Sequence, residues 1–233
     1  MIGSIIFVVL SMVICVAFCV LRAQKATFYS LTLKILASLC FIFAGILALT
    51  VVGWGTVGIM IIVGMVFGLI GDIVLDLKIM YPEKNDTYFL IGTGSFAVGH
   101  VFYFIAGLLT MLDSGNAIAL SWAIPVALVL AGVLTLGIML SSKKMGMDFG
   151  KVKWAVVSYS VVLSFMFFFS CFVAIFNTMF WIFAAGMLVF LLSDLVLSMQ
   201  YFGGKDQKIF IYINHILYYL AQCMFALFML FGL

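Results

Sequence analysis

The sequence predicts an all-α fold, a polytopic bundle of eight transmembrane helices, and three observations predict it. Of its residues 67% are hydrophobic and 8% are charged, where soluble domains run at about 45–50% and about 25%. No polar surface of this composition encloses such a core in water. The chain also divides into eight apolar stretches, each close to the ~20 residues needed to cross a bilayer. Finally, all eleven Lys and Arg fall in or beside alternate connections between those stretches.

The expected helices cover about residues 2–21, 31–50, 55–77, 88–111, 118–140, 152–173, 176–200 and 209–231, within one transmembrane domain spanning residues 1–233. The first has no basic residue from Met1 to Val9, and Arg22 follows its apolar run. That order predicts an uncleaved first helix rather than a signal peptide. Helices two and three are divided by the short break Val51 to Trp54, and helices six and seven by Ala174 to Asn177. Tyr81-Pro82-Glu83-Lys84-Asn85-Asp86 separates three from four, and Asp113-Ser114-Gly115-Asn116 separates four from five.

Charge placement supports the count. Arg22, Lys25 and Lys34 flank the first connection, and Lys78 and Lys84 the third. Lys143, Lys144, Lys151 and Lys153 flank the fifth, and Lys205 and Lys208 the seventh. By the positive-inside rule the odd connections are cytoplasmic and both termini lie outside. A missed or extra helix would spoil the alternation. The sequence therefore predicts a multi-pass integral membrane protein, expected in a bacterial cell membrane.

Within this apolar chain a few residues carry chemistry. Gly71-Asp72-Ile-Val-Leu-Asp76 ends helix three, and Ser193-Asp194-Leu-Val-Leu ends helix seven. A carboxylate at membrane depth costs several kcal/mol or more and marks function by default. Asp72 and Asp76 are four residues apart and share a helix face; Asp76, two residues before Lys78, can alternatively reach the interface. His100 and Tyr103 share a face of helix four, about 20 Å into it at ~1.5 Å per residue. His215, Tyr218, Tyr219 and Gln222 occupy the first turns of helix eight. Tyr159 lies amid Ser158, Ser160 and Ser164 on helix six. With helices three and seven running inward and four and eight outward, these groups can meet in the cytoplasmic half of the bilayer.

Asp72-Ile-Val-Leu resembles Asp194-Leu-Val-Leu, and His100-Val-Phe-Tyr103 resembles His215-Ile-Leu-Tyr218. The pairs sit on corresponding helices of a four-plus-four parallel repeat. Gly64-x-x-x-Gly68, continuing to Gly71, predicts that helix three is tightly neighboured. The five cysteines fall in apolar spans without CxxC spacing and read as free thiols. No metal site and no cofactor is predicted: no Walker loop, dinucleotide-binding glycine pattern or nucleophile elbow is present. Nucleic-acid binding has no support, since topology accounts for the net charge of +3.

The chain resembles the YhhN family of integral-membrane lysoplasmalogenases at these residues and over nearly its whole length. The resemblance rests on Gly71-Asp72 of helix three and on Phe96, Gly99, His100 and Tyr103 of helix four. It continues with Phe190, Ser193 and Asp194 of helix seven and with Tyr218, Tyr219, Ala221 and Gln222 of helix eight. On helix two the family tends to have Lys-Pro where this chain has Lys34-Ile35.

The resemblance implies hydrolysis of the vinyl ether of a lysoplasmalogen, a lysophospholipid drawn from the surrounding membrane lipid. The products are a fatty aldehyde and glycerophospho-ethanolamine or -choline. Such a bond breaks by protonation of its β-carbon, giving an oxocarbenium ion that water captures. One carboxylic acid must give a proton and an ionised group must stabilise the cation. Glycosidases solve a related problem with two carboxyls about 5–9.5 Å apart. Asp72 and Asp194 are the expected pair, with Asp76, His100, Tyr103, Tyr159, Ser193, Tyr218, Tyr219 and Gln222 in support and Lys34 meeting the lipid phosphate. Taken without the resemblance, the same residues also fit a small-molecule or proton-coupled transporter, or a structural lipid-binding membrane protein.

Overall fold

Eight helices form where the apolar stretches place them, and what departs from expectation is at their ends. The computed structural model describes residues 1–24, 27–204 and 207–233. Lys25 and Lys205 lie outside the described residues, as does the side chain of Lys78. The helices are α1 (Ile2–Ala23), α2 (Thr27–Val52), α3 (Thr56–Met80), α4 (Asn85–Asp113), α5 (Ala117–Lys144), α6 (Lys153–Phe176), α7 (Phe180–Phe202) and α8 (Lys208–Gly232). The chain is 91% helical, without a strand among the described residues, and all eight helices are long and apolar enough to cross a membrane. It is a multi-pass membrane protein.

Most helices run two to four residues past the expected limits, because polar residues at the ends of an apolar run still close i to i−4 hydrogen bonds. The starts of α3 and α6 fall one residue later than expected, and the largest departure is the start of α7, four residues later. Asn177 causes it: its backbone is extended at ψ 100°, and its side-chain Oδ1 accepts the Met179 N–H at 3.1 Å while its carbonyl accepts the Phe180 N–H at 2.9 Å. This turn occupies the residues just before α7 and satisfies the first N–H of the helix, that of Phe180.

The helices close into a ring of six. In order around it, α2 packs on α3, α3 on α4, α4 on α6, α6 on α7, α7 on α8, and α8 back on α2. The other two lie outside, α1 across α2 and α8, and α5 chiefly against α6. Adjacency in the first four helices is matched in the last four, and α8 meets α2 as α4 meets α6. This is the neighbour pattern of a four-plus-four arrangement. It is broken at the periphery, where α1 lies broadly on α8 but α5 barely touches α4.

One end of the ring is filled and the other is hollow. Phe180 and Phe183 of α7 and Phe225 and Phe228 of α8 are fully buried. Their rings pack at centroid distances of 4.5 Å (Phe183–Phe225, tilted) and 4.9 Å (Phe180–Phe228, edge to face). The hollow end carries the basic residues and the aspartates.

The closest helix contact is α3 against α4, and glycine sets it. A Cβ on Gly99 would stand 2.9 Å from the carbonyl oxygen of Gly64, and one on Gly64 would collide with the Tyr103 ring. Two backbones that approach this closely fix the height of Asp72 and His100 relative to each other. At Gly94, on the opposite face of α4, an added Cβ meets nothing within 4 Å. Gly99→Ala is therefore expected to destabilise the fold by about 1–3 kcal/mol through overpacking, while Gly94→Ala leaves stability unchanged or raises it. Thermal unfolding of both variants in detergent checks this, and equal midpoints would contradict the seam.

Candidate active site

Four ionisable side chains meet at the hollow end of the ring. Arg22 comes from the last turn of α1, Lys34 from the second turn of α2, and Asp72 and Asp76 from one face of α3. Lys34 Nζ lies 3.2 Å from Asp72 Oδ1 and 3.0 Å from Asp76 Oδ1. Arg22 Nη2 lies 2.8 Å from that same Asp76 oxygen. Lys34, Asp72 and Asp76 are each 3% exposed, so these pairs sit where water does not screen them. Asp76 is thus buried between two cations. Lys34 stands between the two carboxylates, where each ion offsets the desolvation of the others. Two positive and two negative groups leave the cluster without net charge.

Asp72 is held further by hydroxyl groups. Its Oδ2 accepts from Ser38 Oγ at 2.8 Å and from the Tyr218 hydroxyl at 2.9 Å. Tyr218 in turn accepts from Gln222 Nε2 at 3.2 Å, and Gln222 Oε1 accepts from the Tyr103 hydroxyl at 3.4 Å. Each donor in this chain, from α4 through α8 to α3, points toward the Asp72 carboxylate. The Tyr219 hydroxyl donates to the Lys34 carbonyl at 2.9 Å and lies 3.0 Å from Ser38 Oγ, which ties α8 to α2.

Asp194 lies in unlike surroundings. Among the described residues its carboxyl has no cation partner, and it accepts one hydrogen bond, from the Tyr159 hydroxyl at 2.7 Å. Its neighbour Ser193 clasps α8: Ser193 Oγ donates to the Asn214 carbonyl at 3.0 Å, and Asn214 Nδ2 donates to the Ser193 carbonyl at 2.8 Å. The clasp fixes α7 against α8 one residue before Asp194.

His100 stands apart from the ion cluster. Its Nδ1 lies 2.6 Å from the Phe96 carbonyl, an acceptor only, so Nδ1 carries the proton in that contact. Its Nε2 is buried and has no hydrogen-bond partner among the described residues. The ring packs edgewise against Phe190, Tyr103 and Tyr159 at centroid distances of 5.1, 5.7 and 6.1 Å. Its route to a carboxyl therefore runs through the packing of Tyr159, which bonds Asp194. His215 packs edgewise on Phe18 at 4.7 Å.

Asp72, Asp76, Lys34, Asp194, Ser193 and Tyr218 all border one polar cavity of about 720 Å³. Arg22, Lys208 and His215 also border it. A second space of about 380 Å³, with a mainly apolar lining drawn chiefly from α4, α5, α6 and α7, adjoins it, and Asp194 borders both. Carboxyl groups in unlike surroundings, a hydroxyl relay and cations at the edge of one cavity can move a proton, stabilise a developing positive charge and hold an anion. Among the described residues no group of three or more His, Cys, Asp or Glu is placed to bind a metal ion.

Sequence reasoning passed over Arg22, Ser38 and Asn214. Arg22 sits at a helix end, where a basic residue is read as topology, and Ser and Asn are common enough in helices to give no signal alone.

The family model for the YhhN family matches residues 29–229. That span holds each residue of the site described here except Arg22 and Phe18. No curated protein and no solved structure matches the chain.

The ion cluster makes a direct prediction. Removing one partner of a buried pair leaves the other charge uncompensated, at a cost of about 3–5 kcal/mol. Asp76→Asn is expected to lower the unfolding midpoint sharply, and adding Arg22→Gln to recover part of that loss. A double-mutant cycle read by thermal unfolding checks this, and additive effects would show that the two side chains are not coupled.

Proposed function

The chain belongs to the YhhN family, a lysoplasmalogenase-like family, and on that premise we propose that it hydrolyses the vinyl ether bond of lysoplasmalogens. One observation carries the reading: two carboxyls from different helices face one cavity in opposite electrostatic surroundings. Asp72 is ion-paired to Lys34 and accepts two hydroxyl donors. Asp194 accepts from the phenol of Tyr159 and, among the described residues, pairs with no cation. The cations and carboxylates of Arg22, Lys34, Asp72 and Asp76 already balance, so Asp194 is the carboxyl suited to hold a proton.

In this mechanism Asp194 gives its proton to the β-carbon of the vinyl ether. The double-bond electrons form the new C–H bond, and positive charge develops over the α-carbon and the ether oxygen. The Asp72 carboxylate faces the same cavity and stabilises that cation electrostatically. Water adds to the α-carbon and its proton passes to Asp194, which restores the acid. The resulting hemiacetal collapses as its hydroxyl proton moves to the glyceryl oxygen, releasing a fatty aldehyde and the glycerophospho head group. Arg22 and Lys208, at the edge of the cavity, meet the phosphate. Lys34, already engaged by two carboxylates, keeps Asp72 ionised. Tyr159 orients Asp194, and Tyr218, Gln222 and Tyr103 orient Asp72.

The four-plus-four neighbour pattern favours a second reading, a carrier, because parallel repeats are frequent in transporters. The phenylalanine packing supports the enzyme instead, since it fills the ring at the end away from the polar cavity. The two readings part on chemistry. Purified protein in detergent is expected to release aldehyde from lysoplasmalogen, and Asp72→Asn and Asp194→Asn are each expected to lower turnover by at least about 10²-fold. Folded protein that releases no aldehyde from ethanolamine or choline substrates, yet moves solute or protons in liposomes, would establish the carrier.

A further inference from the structure

The apolar space beside Asp194 is not needed for the chemistry at the carboxyls, yet it is built into the same half of the ring. It lies among the basic ends of α4, α5, α6 and α7, with walls that include Phe89, Leu134, Met145, Leu163 and Leu191. Its volume of about 380 Å³ falls within the ~300–1,000 Å³ of ligand sites. It shares Asp194, Leu75, Phe96, Leu197 and Tyr201 with the polar cavity. A ligand spanning both must be polar and anionic at one end and a hydrocarbon at the other. Arg22 and Lys208 border only the polar side, so charge complementarity fixes which end goes where.

We propose that this space is the binding site for the single aliphatic chain of a lysophospholipid, and that Gly137 on its α5 edge sets the chain length accepted. The proposal rests on the function above for its substrate class. Gly137 borders the space and is exposed, and a Cβ there meets nothing within 4 Å. The space therefore reaches the outer surface of the bundle at this point. Glycine leaves the passage open, so a long chain can run out past α5 into the bilayer, and a larger side chain closes it. Gly132, on the same helix and equally unobstructed, does not border the space and serves as the control.

The test uses the full chain in detergent and two readouts. A lysophosphatidylethanolamine with a diazirine near the end of its chain is cross-linked by light, and adducts are mapped by mass spectrometry. They are expected on the α5, α6 and α7 walls, to be displaced by unlabelled lysophospholipid, and to be lost in Gly137→Trp but not in Gly132→Trp. In hydrolysis, Gly137→Trp is expected to lower turnover of long-chain against short-chain lysoplasmalogen by at least about tenfold, with Gly132→Trp unchanged. Wild-type adducts confined to α1, α2 or α8, or an unaltered chain-length profile in Gly137→Trp, would overturn the proposal and leave the hydrolase reading intact. Adducts on the expected walls without aldehyde from any head group would sink the hydrolase reading and leave the chain site standing. If Gly137→Trp fails to fold, wild-type adduct positions decide alone.

Discussion

The cost of holding charge inside an apolar bundle governs the rest of this structure. Each ion removed from water loses several kcal/mol of solvation even after relaxation, and Asp72, Asp76 and Lys34 are all nearly inaccessible. Their mutual pairing makes that burial tolerable, but only if α1, α2 and α3 stand in one register. The ion cluster thus constrains three helices, and the glycine seam carries the constraint to α4. The hydroxyl relay through Tyr218 and Gln222 and the bond from Tyr219 to the Lys34 carbonyl bring in α8. The polar network orders the hollow end of the ring, while phenylalanine packing orders the filled one.

Asp194 lies on the other side of this arrangement and gains its character by exclusion. Nothing cationic on α5, α6 or α7 approaches it among the described residues, and the Ser193–Asn214 clasp prevents α7 from turning it elsewhere. The cavity therefore has two faces of different polarity: ionic around Asp72, phenolic and hydrocarbon around Asp194. A bond whose cleavage needs a proton at one atom and a negative charge near another matches such a cavity better than a symmetric one.

Much of this was legible in the sequence, for a physical reason. In a chain of apolar helices an ionisable residue stands out, so Asp72, Asp76, Asp194, Lys34 and His100 could be found without coordinates. Helix count followed from the eight apolar stretches and from the alternation of Lys and Arg between them. Which carboxyl meets which cation was not legible, because Arg22 and Asp76 are separated by 54 positions and only tertiary packing brings them together. Tyr159 looked like one hydroxyl in a serine-rich stripe until α6 was seen to face α7. That Asp76 pairs with cations of α1 and α2 was likewise hidden, because three separate helices supply the cluster. The late start of α7 depended on a local Asn177 turn that an apolar stretch conceals.

The matched neighbours of the two four-helix halves have a consequence for how such a cavity can arise. Two identical halves related by a two-fold axis would surround their equivalent aspartates identically. Neither carboxyl would then be distinguished as donor, and both would draw the same counter-ions. A single chain removes that equivalence. Lys34 and Ser38 occupy one half, while Tyr159 faces the aspartate of the other, so each position is free to diverge. Joining the halves covalently therefore changes more than stability: it permits a division of labour that a symmetric dimer of four-helix units could reach only by distorting itself.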